Sequence, residues 1–294
     1  MKNRINYYLN NRFQCNIKNQ DTFNNVNRII VIGDLHGDFD VLIKCLKLAK
    51  LINNKNQWIG NNTHVVQLGD ILDGGGRGIS FESDPYEEFK IYEYLNYLNN
   101  EANKLGGYVH YLIGNHELMN LTGDFNYVHP SHMIKERNEL FKPGSYITNM
   151  LACHSYGILN INGWIFCHAG LLPEHLEKNS ISSLNFLIKN ILLGTKSINE
   201  LNKYDHDLLF SKYSFLWNRE YINNANKCNI LKNTLNKIKH SRGMIIGHTP
   251  NKNITGSCDN KLWYVDLGLS KAFGNDFNNI QVLEIINNNP RVIK

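Results

Sequence analysis

Five short segments carry aspartate, asparagine and histidine side chains of the kind that hold divalent metal ions. Each segment combines a glycine with polar residues directly after an apolar run. They lie at residues 33–38, 69–73, 114–117, 166–170 and 247–248. Mixed carboxylate, amide and imidazole groups suit metals of the Mn, Fe and Zn type. Two such ions side by side would activate a water molecule for attack on a phosphate ester.

The spacing of these side chains predicts how two ions would share them. Asp34 and His36 are alternate residues at an extended strand end, so they point to the same side. Asp70 follows a separate strand and is the natural bridge between the ions. A single Gly-Asp after a strand is usually a turn, and a single buried histidine is usually a core residue. Five coincidences favour a metal site, with the second ion completed by Asn115, His168 and His248.

The elements needed to position these residues can be predicted from hydrophobic patterning. Strands at 28–32, 65–68 and 108–113 alternate with helices at 39–51 and 85–105. This alternation predicts parallel strands with right-handed crossover helices. In such sheets reactive groups gather beyond the carboxyl ends of the strands, which is where the first three segments fall.

The pattern changes after residue 120. The segment 121–146 is expected to be a long loop or a small helical insert, and Asn162-Gly163 predicts a hairpin between two strands. These elements predict a second sheet with partly antiparallel connections. The predicted strands are 158–161, 164–167, 244–246, 262–266 and 280–285, and the predicted helices are 184–193 and 227–239. We expect residues 1–25 to form a loosely ordered arm and residues 26–294 to form a single catalytic domain of two packed sheets.

Composition narrows the class of protein. A net charge of +5 and 42% hydrophobic residues are ordinary for a globular chain, so a nucleic-acid partner is not indicated. No apolar run reaches the length of a membrane span, and no secretory signal is found, so we expect a cytoplasmic protein with no membrane partner. The six cysteines lack C-x-x-C pairs, which predicts free thiols in a reducing compartment. Cys167 is expected to pack inside a strand. The sequence carries no signal for oligomeric state.

In combination, the five segments resemble the metallophosphoesterases of the phosphoprotein phosphatase superfamily. Further stretches make the chain most similar to the Shewanella-like protein phosphatases, and the resemblance runs from about residue 28 to residue 286. These stretches lie at 115–120, 123–128, 164–173, 216–221 and 265–268. The resemblance implies an α/β (α+β) fold, a calcineurin-like β-sandwich of two mixed sheets flanked by helices.

The same resemblance implies roles for individual residues. The counterparts of Asp34, His36 and Asp70 hold one ion, and those of Asp70, Asn115, His168 and His248 hold the other. The counterpart of His116 is the general acid, oriented by that of Asp73. A histidine suits this role because its pKa lies near the working pH. We expect two divalent metal ions, Mn²⁺ first and Fe or Zn as alternatives, and a phosphoprotein or phosphopeptide substrate.

One position departs from the family pattern. The family has an arginine directly after the second aspartate, where it clasps the substrate phosphate, but this chain has Gly74 there. The next arginine is Arg77, after three glycines. Either the glycine run lets Arg77 fold back to bind phosphate, or Arg77 is a solvated loop residue. Arg219 is the other candidate to hold phosphate together with Asn115, and Arg242 has weaker support.

Three functions remain open from the sequence. The first is a metal-dependent protein phosphatase acting on phosphoserine, phosphothreonine or phosphotyrosine. The second is a hydrolase of nucleotides or dinucleoside polyphosphates that uses the same site. The third is a phosphate-binding scaffold with impaired catalysis, which only Gly74 suggests. The presence of all six predicted ligands and of His116 argues against the third.

Overall fold

Two six-stranded sheets form the centre of this computed structural model, which describes residues 2–14, 20–274 and 279–294. Over these residues the strands are β1 (Thr22–Phe23), β2 (Arg28–Ile32), β3 (His64–Gln67), β4 (Tyr108–Leu112), β5 (Ser155–Tyr156), β6 (Ile158–Ile161), β7 (Trp164–Cys167), β8 (Gly243–Ile246), β9 (Thr255–Ser257), β10 (Leu262–Tyr264), β11 (Val282–Ile286) and β12 (Asn289–Ile293). The helices are α1 (Lys2–Asn10), α2 (Phe39–Leu48), α3 (Glu87–Asn103), α4 (Asn115–Leu121), α5 (Arg137–Phe141), α6 (Tyr146–His154), α7 (Ile181–Leu192), α8 (Lys203–Phe210), α9 (Glu220–Asn223) and α10 (Lys227–Asn236). Short 3₁₀ turns lie at Pro130–His132, Pro173–Leu176, Ile198–Glu200 and Lys271–Phe273.

The first sheet has the strand order β12-β11-β2-β3-β4-β5. Strands β2 to β5 are parallel, with Ile30 opposite Val65 and Val65 opposite Val109, whereas β11 and β12 are antiparallel additions. Helices α2 and α3 form the crossovers between the first three parallel strands. The parallel strands are buried on both faces because the sheet is covered on both sides.

The second sheet has the order β1-β6-β7-β8-β10-β9. Strands β7, β8 and β10 run parallel, while β6 and β7 form the predicted hairpin. Asn162 and Gly163 at its turn have φ of 54° and 87°, as the tightest hairpin turns require. Both sheets are therefore mixed and flanked by helices, and the predicted fold class is confirmed.

The two sheets pack face to face through side chains from both. The ring of Phe23 on β1 lies 5.4 Å from that of His64, 4.8 Å from that of His110 and 5.2 Å from that of Tyr108. The carboxyl ends of β2, β3 and β4 in one sheet meet those of β7 and β8 in the other. This arrangement brings two sets of loops to one edge of the sandwich. None of the helices in the described parts of the chain combines the length and apolarity needed to cross a bilayer.

The start of the chain differs from the expected loose arm. Residues 2–10 form α1, where Ile5 and Tyr8 are buried and the ring of Tyr8 stacks on that of Tyr146 at 4.9 Å. Residues 22–23 form β1, which pairs with β6. The expectation is wrong for these two stretches because aromatic packing and strand pairing order them. Met1 and residues 15–19 of the expected arm lie outside the described residues.

Several element boundaries also differ from the prediction. The helix expected at 85–105 begins at Glu87, because the Oδ1 atom of Asp84 accepts from the N–H of Tyr86 in a turn before the helix. The segment 121–146 contains a 3₁₀ turn, α5 and the first residue of α6, so the expected helical insert is present. Strands β5, β9 and β12 had no sequence signal, since they are edge strands of two to five residues.

The cysteine prediction is wrong for part of the set. Cys228, in α10, and Cys258, after β9, form a disulfide with their Cα atoms 5.3 Å apart. The fold brings together residues separated by 30 positions, which spacing alone does not show. Cys153 is disulfide-bonded as well. Cys45 and Cys167 are free and buried, and Cys167 packs inside β7 as predicted.

Candidate functional site

The predicted metal-binding side chains come together at the edge where the parallel strands end. The carboxylate of Asp70, after β3, has its Oδ2 atom 3.2 Å from the Nε2 atom of His168, after β7. The same oxygen lies 4.0 Å from the Nε2 atom of His36, after β2. The Oδ1 atom of Asn115, at the start of α4, lies 3.0 Å from the Nε2 atom of His168. Asp70 is thus the central carboxylate of the cluster.

Two groups of three side chains have their ligand atoms within 4.8 Å of one another. Both contain Asp70, which matches the position expected of a bridging ligand. The nitrogen and oxygen donors fit divalent cations of the Mn, Fe and Zn type. The two groups are His36, Asp70 and His116, and Asp70, His168 and His248.

Asp34, a predicted ligand, and His116, the predicted general acid, are placed differently from these predictions relative to the two groups. Asp34 is buried at the same edge, and its Oδ2 atom accepts from the N–H of His248 at 3.1 Å. It belongs to neither group of three, whereas His116 belongs to the first. The roles of Asp34 as a ligand and of His116 as an acid therefore stay predictions.

Two imidazoles of the cluster, those of His168 and His248, are each oriented by a backbone carbonyl. The Nδ1 atom of His168 lies 2.8 Å from the carbonyl oxygen of Leu68, and the Nε2 atom of His248 lies 3.1 Å from that of Trp217. A ring nitrogen that donates to a carbonyl leaves the other nitrogen with a free lone pair. This second hydrogen bond is how proteins aim a histidine at a metal.

Four residues of the cluster have backbone conformations with positive φ, which residues other than glycine seldom adopt. Their φ angles are 43° at His36, 51° at Asp70, 74° at Asp73 and 68° at His248. Such conformations are costly and persist where surrounding contacts enforce them, often at functional sites. Aspartate and histidine tolerate this region better than most residues, so their occurrence at these positions is consistent with it.

The contacts that enforce the Asp70 conformation come from Glu117, whose role the sequence did not reveal. Its buried carboxylate accepts from the N–H groups of Asp70 at 3.0 Å and Ile71 at 2.9 Å. The same carboxylate accepts from the N–H of Gly114 at 2.7 Å and from the hydroxyl of Tyr92 at 3.0 Å. Glu117 therefore ties the loop after β3 to the start of α4.

His116 and Asp73 form a buried pair beside this cluster. The Nδ1 atom of His116 lies 2.8 Å from the Oδ2 atom of Asp73, and its Nε2 atom lies 3.9 Å from the Oδ2 atom of Asp70. Because Asp73 accepts the proton of Nδ1, the Nε2 atom faces the metal-binding side chains. The pair has the geometry that the resemblance implies for an acid and its orienting carboxylate.

The histidines of the site have different pKa shifts. Burial is the largest single influence and lowers the pKa of both His116 and His168. The charge of Asp70 acts together with hydrogen bonds, to Asp73 from His116 and to Asp70 from His168, and the sum raises each pKa above its ordinary value. Burial and the neighbouring His168 lower the pKa of His248 to about 3. A neutral imidazole is the form that binds a metal ion, so His248 needs no deprotonation at neutral pH.

Arg77 lies at the site. The N–H of Gly75 donates to the carbonyl of Tyr127 at 2.7 Å, and a Cβ atom at position 75 would lie 2.5 Å from the carbonyl oxygen of Val128. Gly76 then turns the chain with φ of 71°. The Nη1 atom of Arg77 donates to the carbonyl of Asp73 at 2.8 Å. The glycine run thus permits the close approach that returns Arg77 to the cluster.

The guanidinium of Arg77 has two aromatic neighbours. Its Cζ atom is 4.6 Å from the ring centre of Phe273 and 5.3 Å from that of Tyr127. Its Nη2 atom lies 3.1 Å from the Nδ1 atom of His36 and 3.5 Å from the Nε2 atom of His116. A phosphate-binding role for Arg77 has this placement as its support and stays a prediction.

The other two arginines are placed differently. Arg219 is exposed just before α9, two residues after Trp217, and its charge contributes to the lowered pKa of His248. Arg242 precedes β8, whereas His248 follows it, so the two lie at opposite ends of that strand. The Nε atom of Arg242 donates to the carbonyl of Asn162 at 2.9 Å. The suggestion that Arg242 serves the site is therefore wrong.

Asp266 is a further carboxylate at the same edge that the sequence reasoning left without a role. It is buried after β10, its Oδ1 atom accepts from the N–H of Gly268 at 2.8 Å, and burial raises its pKa to about 6. Its position directly after an apolar strand is the same signal that identified Asp34 and Asp70. Applying that signal to every strand would have found it.

The chain matches a family model and two named phosphatases. Residues 27–283 match the model described as calcineurin-like phosphoesterase. Shewanella-like protein phosphatase 2 of Arabidopsis thaliana is 28% identical over 304 residues, which cover 86% of this chain and 74% of that protein. Shewanella-like protein phosphatase 1 of Plasmodium berghei is 32% identical over 259 residues, which cover 83% of this chain and 67% of that protein.

Solved structures give the same result. A cold-active protein tyrosine phosphatase superposes with a TM-score of 0.80 and 25% identity, covering 94% of this chain and 78% of that one. A protein serine/threonine phosphatase from Saccharomyces cerevisiae has a TM-score of 0.59 at 14% identity, covering 97% of this chain and 80% of that one, which shows a shared fold alone. The resemblance inferred from the sequence motifs is confirmed.

Proposed function

Because the chain belongs to the calcineurin-like phosphoesterase family, we propose that it is a protein phosphatase that hydrolyses phosphate esters of protein side chains. It is a hydrolase of the metallophosphatase type. The observation that carries the proposal is the sharing of Asp70 between two groups of metal-binding side chains, with His116 beside it. A dinuclear site flanked by a proton donor is suited to phosphate ester hydrolysis.

The residues of the chain divide the work of the reaction. When bound, two divalent cations would supply an activated water and neutralise charge on the phosphate. His116 protonates the leaving oxygen from its Nε2 atom, and Asp73 holds the ring in the required tautomer through Nδ1. Arg77 contacts the phosphate oxygens, to which a guanidinium donates two parallel hydrogen bonds. Arg219 and Asn115 are secondary candidates for contact with the substrate phosphate.

We propose Mn²⁺ as the metal in both positions, with Fe or Zn as alternatives. Asp34, His36 and Asp70 would hold one ion, and Asp70, Asn115, His168 and His248 the other. The buried carboxylate and imidazole groups of the edge support this set. Elemental analysis of the purified protein should find two ions per chain, and stripping with a chelator should abolish hydrolysis until Mn²⁺ is restored.

We propose phosphotyrosine as the preferred substrate side chain among the three that the sequence left open. The rings of Tyr127 and Phe273 both lie beside the Arg77 guanidinium, so an aromatic leaving group would meet aromatic surfaces there. Tyr127 also contacts the ring of His116 edge to face, with centres 5.2 Å apart. The tyrosine phosphatase named among the structural relatives supports the same preference.

The substrate class is tested with one panel of phosphate esters. The Mn²⁺-loaded protein is assayed on p-nitrophenyl phosphate, on matched phosphotyrosine, phosphoserine and phosphothreonine peptides, and on diadenosine tetraphosphate. We expect hydrolysis of the peptides, with the highest kcat/KM for phosphotyrosine. Faster cleavage of diadenosine tetraphosphate would assign nucleotide hydrolysis instead. Binding of phosphopeptides without hydrolysis of any ester would assign the scaffold role.

Two further expectations stay proposals. Residues 26–294 as one catalytic domain agree with the family match over residues 27–283, and a chain shortened to begin at residue 20, which keeps strand β1, should retain activity if the division is right. The expected cytoplasmic location rested on the lack of an apolar span and of a secretory signal, and the expected free cysteines agreed with it. The Cys228–Cys258 disulfide argues against this location, because disulfides persist mainly in oxidising compartments. Counting free thiols in protein isolated from its own cells under alkylating conditions tests the location.

A further inference from the structure

Arg137 is a fully buried arginine close to the His116–Asp73 pair. It is the first residue of α5, within the segment 121–146 that follows α4, and 1% of its surface is exposed. An arginine keeps its charge in proteins, so burying it is costly unless carboxylates and hydrogen-bond acceptors surround it. The position therefore indicates a specific set of partners.

The guanidinium of Arg137 joins four separate parts of the chain. It donates from Nη2 to the Oδ1 atom of Asp73 at 3.2 Å and from Nη1 to the Oε2 atom of Glu88 at 2.8 Å. It also donates from Nε to the Oδ1 atom of Asn120 at 2.7 Å, and from Nη1 to the carbonyl of His132 at 3.3 Å. These contacts link the loop after β3, α3, α4 and the 3₁₀ turn of the insert.

The contact with Asp73 acts on the oxygen that His116 does not use. The Oδ1 atom of Asp73 accepts from Arg137 and, at 2.8 Å, from the amide of Asn120, while Oδ2 faces the Nδ1 atom of His116. The N–H of Asp73 donates to the Oε1 atom of Glu88 at 2.7 Å. The carboxylate and the backbone N–H of Asp73 are therefore both held by hydrogen bonds, and its backbone has φ of 74°.

We propose that Arg137 is a positioning residue that fixes the carboxylate of Asp73, and through it the ring of His116, for proton donation to the leaving oxygen. The inference rests on the proposed function, in which His116 is the general acid. It assigns the insert 121–146 a part in catalysis, because α5 brings Arg137 to the back of the pair. The contact between Arg137 and Asp73 anchors the insert beside the His116–Asp73 pair.

The test compares two phosphate esters that differ in their need for a proton. Nitrophenolate leaves as a stable anion, whereas phenolate, with a conjugate acid pKa of about 10, needs protonation as it leaves. Arg137→Lys keeps the positive charge but lacks the planar guanidinium that reaches Asp73, Glu88 and Asn120 together. We expect kcat for phenyl phosphate to fall roughly 10²-fold and kcat for p-nitrophenyl phosphate to fall roughly threefold or less, with KM unchanged.

The matched control is Leu140→Ala in the same helix. Leu140 is equally buried and has no hydrogen bond to the pair, so its loss destabilises α5 without releasing Asp73. We expect this variant to lower kcat for both esters by the same factor, if at all. An equal loss on both esters in Arg137→Lys would mean a general structural role and would overturn the inference, as would no loss on either.

Two more variants keep the result interpretable. In His116→Asn, kcat for phenyl phosphate should fall more than kcat for p-nitrophenyl phosphate, and the difference should be at least as large as in Arg137→Lys. If His116→Asn retains equal activity on both, the proposed function fails at its general acid, whereas discrimination in His116→Asn alone rejects only the role of Arg137. If Arg137→Lys is not recovered folded, Asn120→Ala removes the other donor to the same oxygen and must show the same discrimination for the inference to stand.

Discussion

Buried histidines lie both at the metal-binding edge, beyond the ends of β4 and β7, and inside strands β3 and β4, but their surroundings are opposite. Beyond the carboxyl ends, His116 and His168 face Asp70, and their pKa values lie above the ordinary value although burial opposes this. Within the strands, His64 and His110 face each other, with ring nitrogens 3.2 Å apart. There, burial lowers the pKa of His64 to about 4 and that of His110 well below its ordinary value.

This difference shows what makes a buried histidine useful for chemistry. Both groups are removed from water, so the imidazole alone does not distinguish them. The carboxylates at the strand ends stabilise a positive charge and, by the same property, a metal ion. The interior pair lies among aromatic rings such as those of Phe23 and Tyr108, and burial lowers the pKa of both histidines, so the pair stays neutral and packs.

The largest effect is expected from removing the shared carboxylate with Asp70→Asn. Metal stabilisation of the transition state amounts to several kcal/mol, so kcat should fall roughly 10³-fold or more. Metal content, measured by elemental analysis, should fall with it. Asp40→Asn, at an exposed carboxylate of α2, is the control and should retain both. Full metal content and activity in Asp70→Asn would show that Asp70 is not needed to hold the metal ions, and the contrast with the interior histidines would lose its basis.

A smaller loss of activity is expected for His116→Asn. A general acid contributes about 10²- to 10⁴-fold to the rate, so kcat on phosphotyrosine peptides should fall within that range. Metal content should stay at the level of the unchanged protein if His116 acts as an acid. His206→Asn, at an exposed histidine of α8, is the control. Loss of one ion per chain in His116→Asn would instead identify His116 as a ligand, as its place in the first group of three permits.

Arg77→Ala is expected to affect binding more than turnover. A hydrogen bond to a charged group contributes about 1.5–3 kcal/mol, so KM for phosphopeptides should rise roughly ten- to a hundredfold. Arg77→Lys should recover part of this because it keeps the charge without the planar fork. Kinetic constants measured at saturating Mn²⁺ give the answer. Unchanged constants in Arg77→Ala would show that Arg77 is a loop residue without contact to substrate.

The interior pair is expected to affect stability and to leave activity at neutral pH nearly unchanged. Because the folded-state pKa of His64 lies below that of the unfolded chain, the unfolded chain gains protons first as pH falls from about 6.5 toward 4. The free energy of unfolding should therefore decrease over this window, by about 3 kcal/mol from His64. Urea unfolding of the metal-free protein at pH 7.5 and 5.0 should measure about 2 kcal/mol of this decrease, because pH 5.0 still lies above the folded-state pKa of His64.

The matched variant for this measurement is the double substitution His64→Gln and His110→Gln. The free energy of unfolding of this variant should decrease less between the two pH values, because it lacks the interior pair. The histidines of the site, His116 and His168 among them, are the same in both proteins. Equal decreases would show that the interior pair does not contribute to acid sensitivity. The different surroundings of the histidines at the site and within the strands would then have no measurable effect on stability.

Much of the fold could be read from local patterns. Buried parallel strands appear as apolar runs that end in Gly-Asp or Gly-Asn, and the turn at Asn162-Gly163 has a specific chemical signature. Edge strands such as β9 and β12 could not be read, because their residues alternate weakly and include Pro290. Helix α1 was missed because its packing against Tyr146 depends on a contact more than a hundred residues away.

The sequence by itself identified the candidate metal-binding side chains and their placement after strands, because ligand chemistry and strand periodicity are local properties. The tertiary structure decided which residues support them. Arg137 contacts Asp73 across 64 positions, and Glu117 contacts Asp70 across 47. It also decided that Arg77 returns to the site while Arg242 lies at the far end of its strand. Hydrogen bonds between distant segments depend on how the sheets and helices pack, and no local pattern encodes that packing.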